Sequence, residues 1–104
     1  MQSSLIPGIS EQIVNEIRGV LVHHPNVVRA RIFGSRAKGV YRSNSDIDIA
    51  VDGNVSPLEA SIIKGDLEEL SCPVFFDVVS YQSISNADLR EHIDRVGVVM
   101  YTSR

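Results

Sequence analysis

The sequence predicts an α/β (α+β) fold, a mixed β-sheet of three to four main strands flanked by helices. Two observations carry that expectation. Runs rich in β-branched residues recur at 27–33, 47–51 and 74–80, and between them lie segments with apolar residues at helical spacing behind polar caps. Strands and helices that alternate along one short chain pack as helices against a sheet.

The elements follow in order. Residues 1–8 contain Pro7 and Gly8 and read as a loose lead-in. Ser10 is placed to cap a first helix, in which Ile13, Ile17, Val20 and Leu21 recur at helical spacing. Pro25 and Asn26 stop it after His23 and His24. The strand at 27–33 alternates, which predicts Val28, Ala30 and Ile32 on one face and Arg29 and Arg31 on the other. Residues 34–45 are polar, with glycines at 34 and 39, and read as a loop around one helical turn. A second strand over 47–51 ends at Asp52, Gly53 and Asn54. Ser56 then caps a helix with Pro57 at its first position and Leu58, Ile62, Leu67 and Leu70 as its apolar stripe. A third strand covers 74–80, Asn86 caps a short helix carrying Leu89, Ile93 and Val96, and 98–101 close the chain as a final strand.

At 104 residues one domain spanning 1–104 is expected. Hydrophobic residues make up 43% and charged residues 22%, an ordinary globular composition. The formal net charge of −3 argues against general nucleic-acid binding. Yet Arg29, Arg31, Arg36, Lys38 and Arg42, half of the ten basic residues, crowd into one stretch that suits a compact anionic ligand. Cys72 is the only cysteine, so no internal disulfide forms. No apolar run reaches the ~18 residues of a membrane span, and the start lacks the pattern of a signal peptide. A reducing cytoplasm is the expected location.

The segment that carries chemistry is Ile32-Phe33-Gly34-Ser35-Arg36-Ala37-Lys38-Gly39, followed by Ser45-Asp46-Ile47-Asp48-Ile49. Asp46 and Asp48 lie two apart in a strand and so share a face. Two neighbouring carboxylates repel one another, and a divalent cation between them relieves that repulsion. Oxygen-only ligands suit a hard ion such as Mg²⁺, with Mn²⁺ as the other choice. Asp77 is the lone charge in the apolar run 74–79, a costly place for a carboxylate without a partner or a metal. If its strand lies beside 47–51, it completes a three-carboxylate cluster able to hold two ions. Gly34 and Ser35 end the first strand, where glycine admits a phosphate close to the backbone and the hydroxyl donates to it. Arg36 and Lys38 add charge. Two rival motifs fail on spacing: Val40 and Tyr41 stand where a P-loop needs Lys and Ser/Thr, and Ile49 takes the glycine position of an EF-hand loop.

Gly-Ser-Arg-Ala-Lys-Gly, then Ser-Asp-Ile-Asp, then an Asp within a later apolar strand resembles the DNA polymerase β-type nucleotidyltransferase superfamily. The short length and the closing Val98-Val99-Met100-Tyr101 resemble its minimal nucleotidyltransferase branch. The likeness runs from about Val27 to the end. It implies the nucleotidyltransferase fold, ATP as substrate and Mg²⁺ as cofactor. It implies that Gly34, Ser35, Arg36, Lys38 and Ser45 bind the nucleotide. It also implies that Asp46 and Asp48 bind the metal and that Asp77, the third carboxylate, positions or deprotonates the acceptor hydroxyl. Arg is more usual at Lys38; lysine keeps the charge but loses the planar fork. Larger relatives carry an acceptor-binding domain for which this chain has no room. Minimal members act as antitoxins beside a helical HEPN-domain protein, so the resemblance implies transfer of AMP to a tyrosine hydroxyl of such a partner. Two alternatives stand beside it: a non-catalytic module that masks its partner, and a small-molecule nucleotidyltransferase.

Overall fold

A computed structural model describes residues 9–34, 46–71 and 74–103. The described elements are α1 (Glu11–Leu21), β1 (Val27–Phe33), β2 (Ile47–Gly53), α2 (Pro57–Glu68), β3 (Phe76–Ser80), a 3₁₀ turn (Tyr81–Ser83), α3 (Ala87–Val96) and β4 (Val98–Thr102). The strands form one sheet in the order β3-β2-β1-β4. β1 is antiparallel to both β2 and β4, whereas β3 runs parallel to β2. A parallel pair needs a crossover, and α2 supplies it.

Each helix starts where a side chain can take up its free N–H groups. The Ser10 hydroxyl accepts from Ile13 N–H at 3.3 Å and the Ser56 hydroxyl from Glu59 N–H at 3.1 Å. Asn86 Oδ1 accepts from the N–H groups of Asp88 and Leu89 at 2.9 and 3.1 Å. All three caps are those expected from the sequence.

α1 and α2 cover one face of the sheet. Val14, Ile17 and Leu21 of α1 and Ala60, Ile63 and Leu67 of α2 close over Ala30, Ile32, Ile47, Ile49, Val51 and Val78. Burying one such Ile or Leu side chain contributes about 1.5–3 kcal/mol. The opposite face is covered by α3, where Ile93 packs on Phe33 and Ala50 with Leu89 and Val96 at its margin.

The structure corrects several expectations. Val28 does not join the core and is 54% exposed, while Val27 is fully buried. The cause is a register shift between Val27 and Arg29 opposite the end of β2, which turns Val28 outward. The stripe of α2 is also rotated: Leu58 and Ile62 face solvent, and Ala60, Ile63 and Leu67 take the inner face at helical spacing. Leu70, as expected, packs against the core margin. β2 continues through Asp52 to Gly53, and β3 begins only at Phe76, leaving Phe75 70% exposed. Asp77 is exposed on β3, which stands at one end of the described sheet. α1 ends at Leu21, so His23 and His24 follow the helix; His24 Nε2 lies 2.9 Å from Asp66 of α2. The expectations of a loose lead-in over 1–8 and of a helical turn within 34–45 fall on residues outside those described, Gly34 apart.

Gly53 has φ +130°, and a Cβ there would collide with the Asn26 carbonyl and crowd Val28. Gly65 sits in α2 with open space around it. Gly53→Ala is therefore expected to lower stability in urea denaturation by about 2 kcal/mol. Gly65→Ala, which reduces only the freedom of the unfolded chain, raises it by about 0.5 kcal/mol.

Candidate active site

β1 ends at Phe33, whose register partner on β2 is Asp48. Gly34 follows with φ +79°, a conformation that L side chains rarely adopt. A Cβ at this position would run into the Asp48 carboxylate. The glycine thus lets the backbone leaving β1 approach a carboxylate, as a cradle for phosphate and metal requires.

On its other side, Asp48 pairs in register with Asp77 of the parallel β3. Register partners in a sheet project to the same face. The register sets Asp77 beside Asp48, and Asp46, one residue before β2, lies close enough for its charge to act on Asp48. Asp46 and Asp77 are exposed, and Asp48 lies half-buried between Gly34 and Asp77. Burial, then the charges of Asp77 and Asp46, push the Asp48 carboxyl up to about 6.

Among the described residues, no three His, Cys, Asp or Glu side chains are already gathered at ligating distance of one point. The donor set still fits a hard divalent ion: it is all oxygen, sits on two adjacent strands, and includes a carboxylate whose ionised form is disfavoured without a counter-charge. Of the residues expected to bind nucleotide, Gly34 lies against Asp48, while Ser35, Arg36, Lys38 and Ser45 lie outside the described residues.

The basic cluster divides. Arg29 and Arg31 are not available to an anion. Arg29 Nε donates to Asp52 at 2.7 Å, and Arg31, buried under α3, bridges Asp52 and Asp94 at 3.2 Å each. Tyr81 donates to Asp94 at 2.9 Å, and the guanidinium groups of Arg31 and Arg90 each lie 4.7 Å from its ring centroid. The Tyr81 hydrogen bond, with Arg31 and Arg90 nearby, holds the Asp94 carboxyl below its ordinary value. This network ties α3 to the sheet face that carries the carboxylates. Sequence reasoning missed it because Asp52, Tyr81 and Asp94 share no local spacing. The one signal was an arginine alternating with apolar residues in a strand, at Arg31.

With that geometry in view, comparison with known proteins is informative. The family model described as polymerase beta, nucleotidyltransferase matches residues 15–104. The chain belongs to this nucleotidyltransferase family. No curated protein matches it significantly. Among solved structures, one described as a minimal nucleotidyltransferase is 31% identical, covering 82% of this chain and 86% of its own, with a TM-score of 0.65. A chain from a toxin–antitoxin crystal structure with AMP-PNP is 23% identical, covers 88% of this chain and 74% of its own, and has a TM-score of 0.74. A chain from the tri-AMPylated Shewanella oneidensis HEPN toxin in complex with MNT antitoxin is 20% identical, covers 88% and 71%, and has a TM-score of 0.63. The last two likenesses establish the fold. The described helices include none long and apolar enough to cross a membrane.

Asp48 supplies a pH test. Its ordinary value is 3.8, and the folded protein holds the proton up to about 6. Between those values the folded state binds more protons than the unfolded state, so this group's contribution to stability falls as pH rises through that window. Asp48→Asn is expected to be more stable than the parent above pH 7, by about 1 kcal/mol after screening of a half-exposed group, and equal to it near pH 4. Urea denaturation across that range, without divalent ions, reads the difference.

Proposed function

We propose that the protein is a metal-dependent nucleotidyltransferase that moves AMP from ATP to a hydroxyl of a partner protein, as the antitoxin of a HEPN/MNT pair. The observation that carries this reading is the register of Asp48 with Asp77, beside a left-handed Gly34 at the end of β1.

The residues divide the work. Gly34, with Ser35, Arg36, Lys38 and Ser45, holds the triphosphate, and Asp46 and Asp48 hold Mg²⁺, with Mn²⁺ as a substitute. The bound metal supplies positive charge against the triphosphate and the attacking oxygen. Asp77, on the exposed edge strand, faces the acceptor, orients its hydroxyl and takes its proton. The acceptor oxygen bonds to the α-phosphorus as the bridge to the β-phosphate breaks, and pyrophosphate leaves. Positioning and charge neutralisation supply most of the rate in transfers of this kind. A structure of similar fold holds AMP-PNP and another a tri-AMPylated HEPN toxin, which supports adenine and a HEPN partner as first choices.

The second reading is neutralisation by masking, for which the exposed Leu58, Ile62 and Phe75 offer apolar contact surface. One experiment separates the two. The protein is incubated with α-labelled ATP, Mg²⁺ and a HEPN-domain protein encoded in the adjacent reading frame. Label should transfer to that protein, and the Asp46→Asn/Asp48→Asn variant should lose at least about 100-fold of the rate. Undiminished transfer by the variant rejects the assigned site. Neutralisation by the variant with no transfer by either form favours masking.

A further inference from the structure

The segment that leads into β3 is pinned on both sides of one exposed ring. Val74 packs against the core, Phe76 is 2% exposed within it, and the Phe75 carbonyl accepts from Ile47 N–H at 2.9 Å. Between these anchors the Phe75 side chain is 70% exposed and joins neither apolar cluster. The other exposed large hydrophobics among the described residues are Val22, Val28, Leu58, Ile62 and Val99, all of them aliphatic. A single exposed apolar side chain is ordinary on a protein surface. What sets Phe75 apart is its place.

Asp77 stands two residues along from Phe75, and Asp46 is bonded to Ile47, whose N–H meets the Phe75 carbonyl. Phe75 is therefore bracketed by two of the aspartates assigned above to metal and acceptor, both of them exposed. The surroundings differ on the other side of Asp48. There Gly34 comes against the Asp48 carboxylate. Phe33, just before it, is covered by α3, with Ile93 packed on it and the His92 ring edge-on at 6.2 Å. The site is thus covered at Phe33 and open at Asp77 and Phe75.

Resting on the function proposed above, we infer that Phe75 is the base-binding residue of the site, with the purine ring of the nucleotide stacked on its exposed face. A triphosphate held at Gly34 and at the aspartates brings its α-phosphate, and the nucleoside attached to it, to the aspartate end. The nucleoside then leaves toward the open side, where Phe75 stands, and not toward the side that α3 covers. Stacking needs no hydrogen-bonding group on the ring, and it buries apolar area on both partners. Because every base has a π-face, the ring selects by stacking area and not by base edges. It favours purines over pyrimidines and leaves adenine and guanine nearly equal.

The test compares ATP–Mg²⁺ with tripolyphosphate–Mg²⁺, which carries the same phosphates and no base, by calorimetric titration. Phe75→Ala should weaken ATP–Mg²⁺ binding about tenfold and leave tripolyphosphate–Mg²⁺ binding unchanged. The parent should bind GTP–Mg²⁺ about as tightly as ATP–Mg²⁺, and CTP–Mg²⁺ more weakly. Phe75→Trp keeps a stacking face, and the chain has no other tryptophan, so the indole fluorescence of that variant reports on this position alone. ATP–Mg²⁺ should quench it, and tripolyphosphate–Mg²⁺ should not. Parent-like ATP–Mg²⁺ binding by Phe75→Ala, equal weakening of both ligands, or indole fluorescence unmoved by bound ATP–Mg²⁺ would each overturn the assignment. Phe75→Ala that binds ATP–Mg²⁺ as the parent does but transfers AMP more slowly would give the ring to the acceptor, and would overturn it too. Absence of ATP–Mg²⁺ binding by the parent would overturn the nucleotidyltransferase reading itself, and this inference with it.

Discussion

The parallel pairing of β2 with β3 is the constraint from which the site follows, because it sets Asp48 beside Asp77 in register. A shift of one residue would send Asp77 to the face covered by α1 and α2 and bring Val78 to the carboxylates. The register is held by the apolar residues on that inner face. Ile47, Ile49, Val51, Phe76 and Val78 all lie in the core beneath the helices, so slipping β3 would expose them. The α2 crossover fixes the direction of β3, and Ser80 adds a hydrogen bond from its hydroxyl to the Val55 carbonyl at the far end of the strand. Hydrophobic packing on one face thus sets the electrostatics of the other.

That other face is divided between a structural half and a chemical half. Arg29, Arg31, Asp52, Asp94 and Tyr81 form a linked set of ion pairs and ring contacts. Asp46, Asp48 and Asp77 have no such compensation among themselves, and Asp48 shows the result in a carboxyl pushed up to about 6. Breaking a buried pair such as Arg31–Asp52 leaves a charge without a partner and is costly. The three aspartates, which pair with no basic side chain among the described residues, are stabilised by anything that brings positive charge.

Much of this was legible in the sequence, for identifiable reasons. Caps at Ser10, Ser56 and Asn86 are local chemistry, and each helix begins where its cap stands. The face of Asp48 follows from the two-residue period of the strand, which needs no tertiary information, while Asp46 stands one residue before β2. The neighbour relation with Asp77 required the strand order, which the sequence allowed but did not compel. Rotation of the α2 stripe from Leu58 and Ile62 to Ala60 and Ile63 escaped notice because alanine carries a weak apolar signal. The exposure of Val28 depends on a register shift created between two strands. Arg29 and Arg31 looked like part of an anion site until Asp52 and Asp94, distant in sequence, were seen to claim them.

The central claim is that the aspartates on β2 and β3 form a metal-dependent nucleotide site. Calorimetric titration of ATP into the protein, with Mg²⁺ and then with a chelator, tests it most directly. The account predicts binding that needs Mg²⁺ and vanishes in the Asp46→Asn/Asp48→Asn variant while the fold persists. Binding of equal strength without Mg²⁺ or in the variant would contradict it, as would no binding by the parent under either condition.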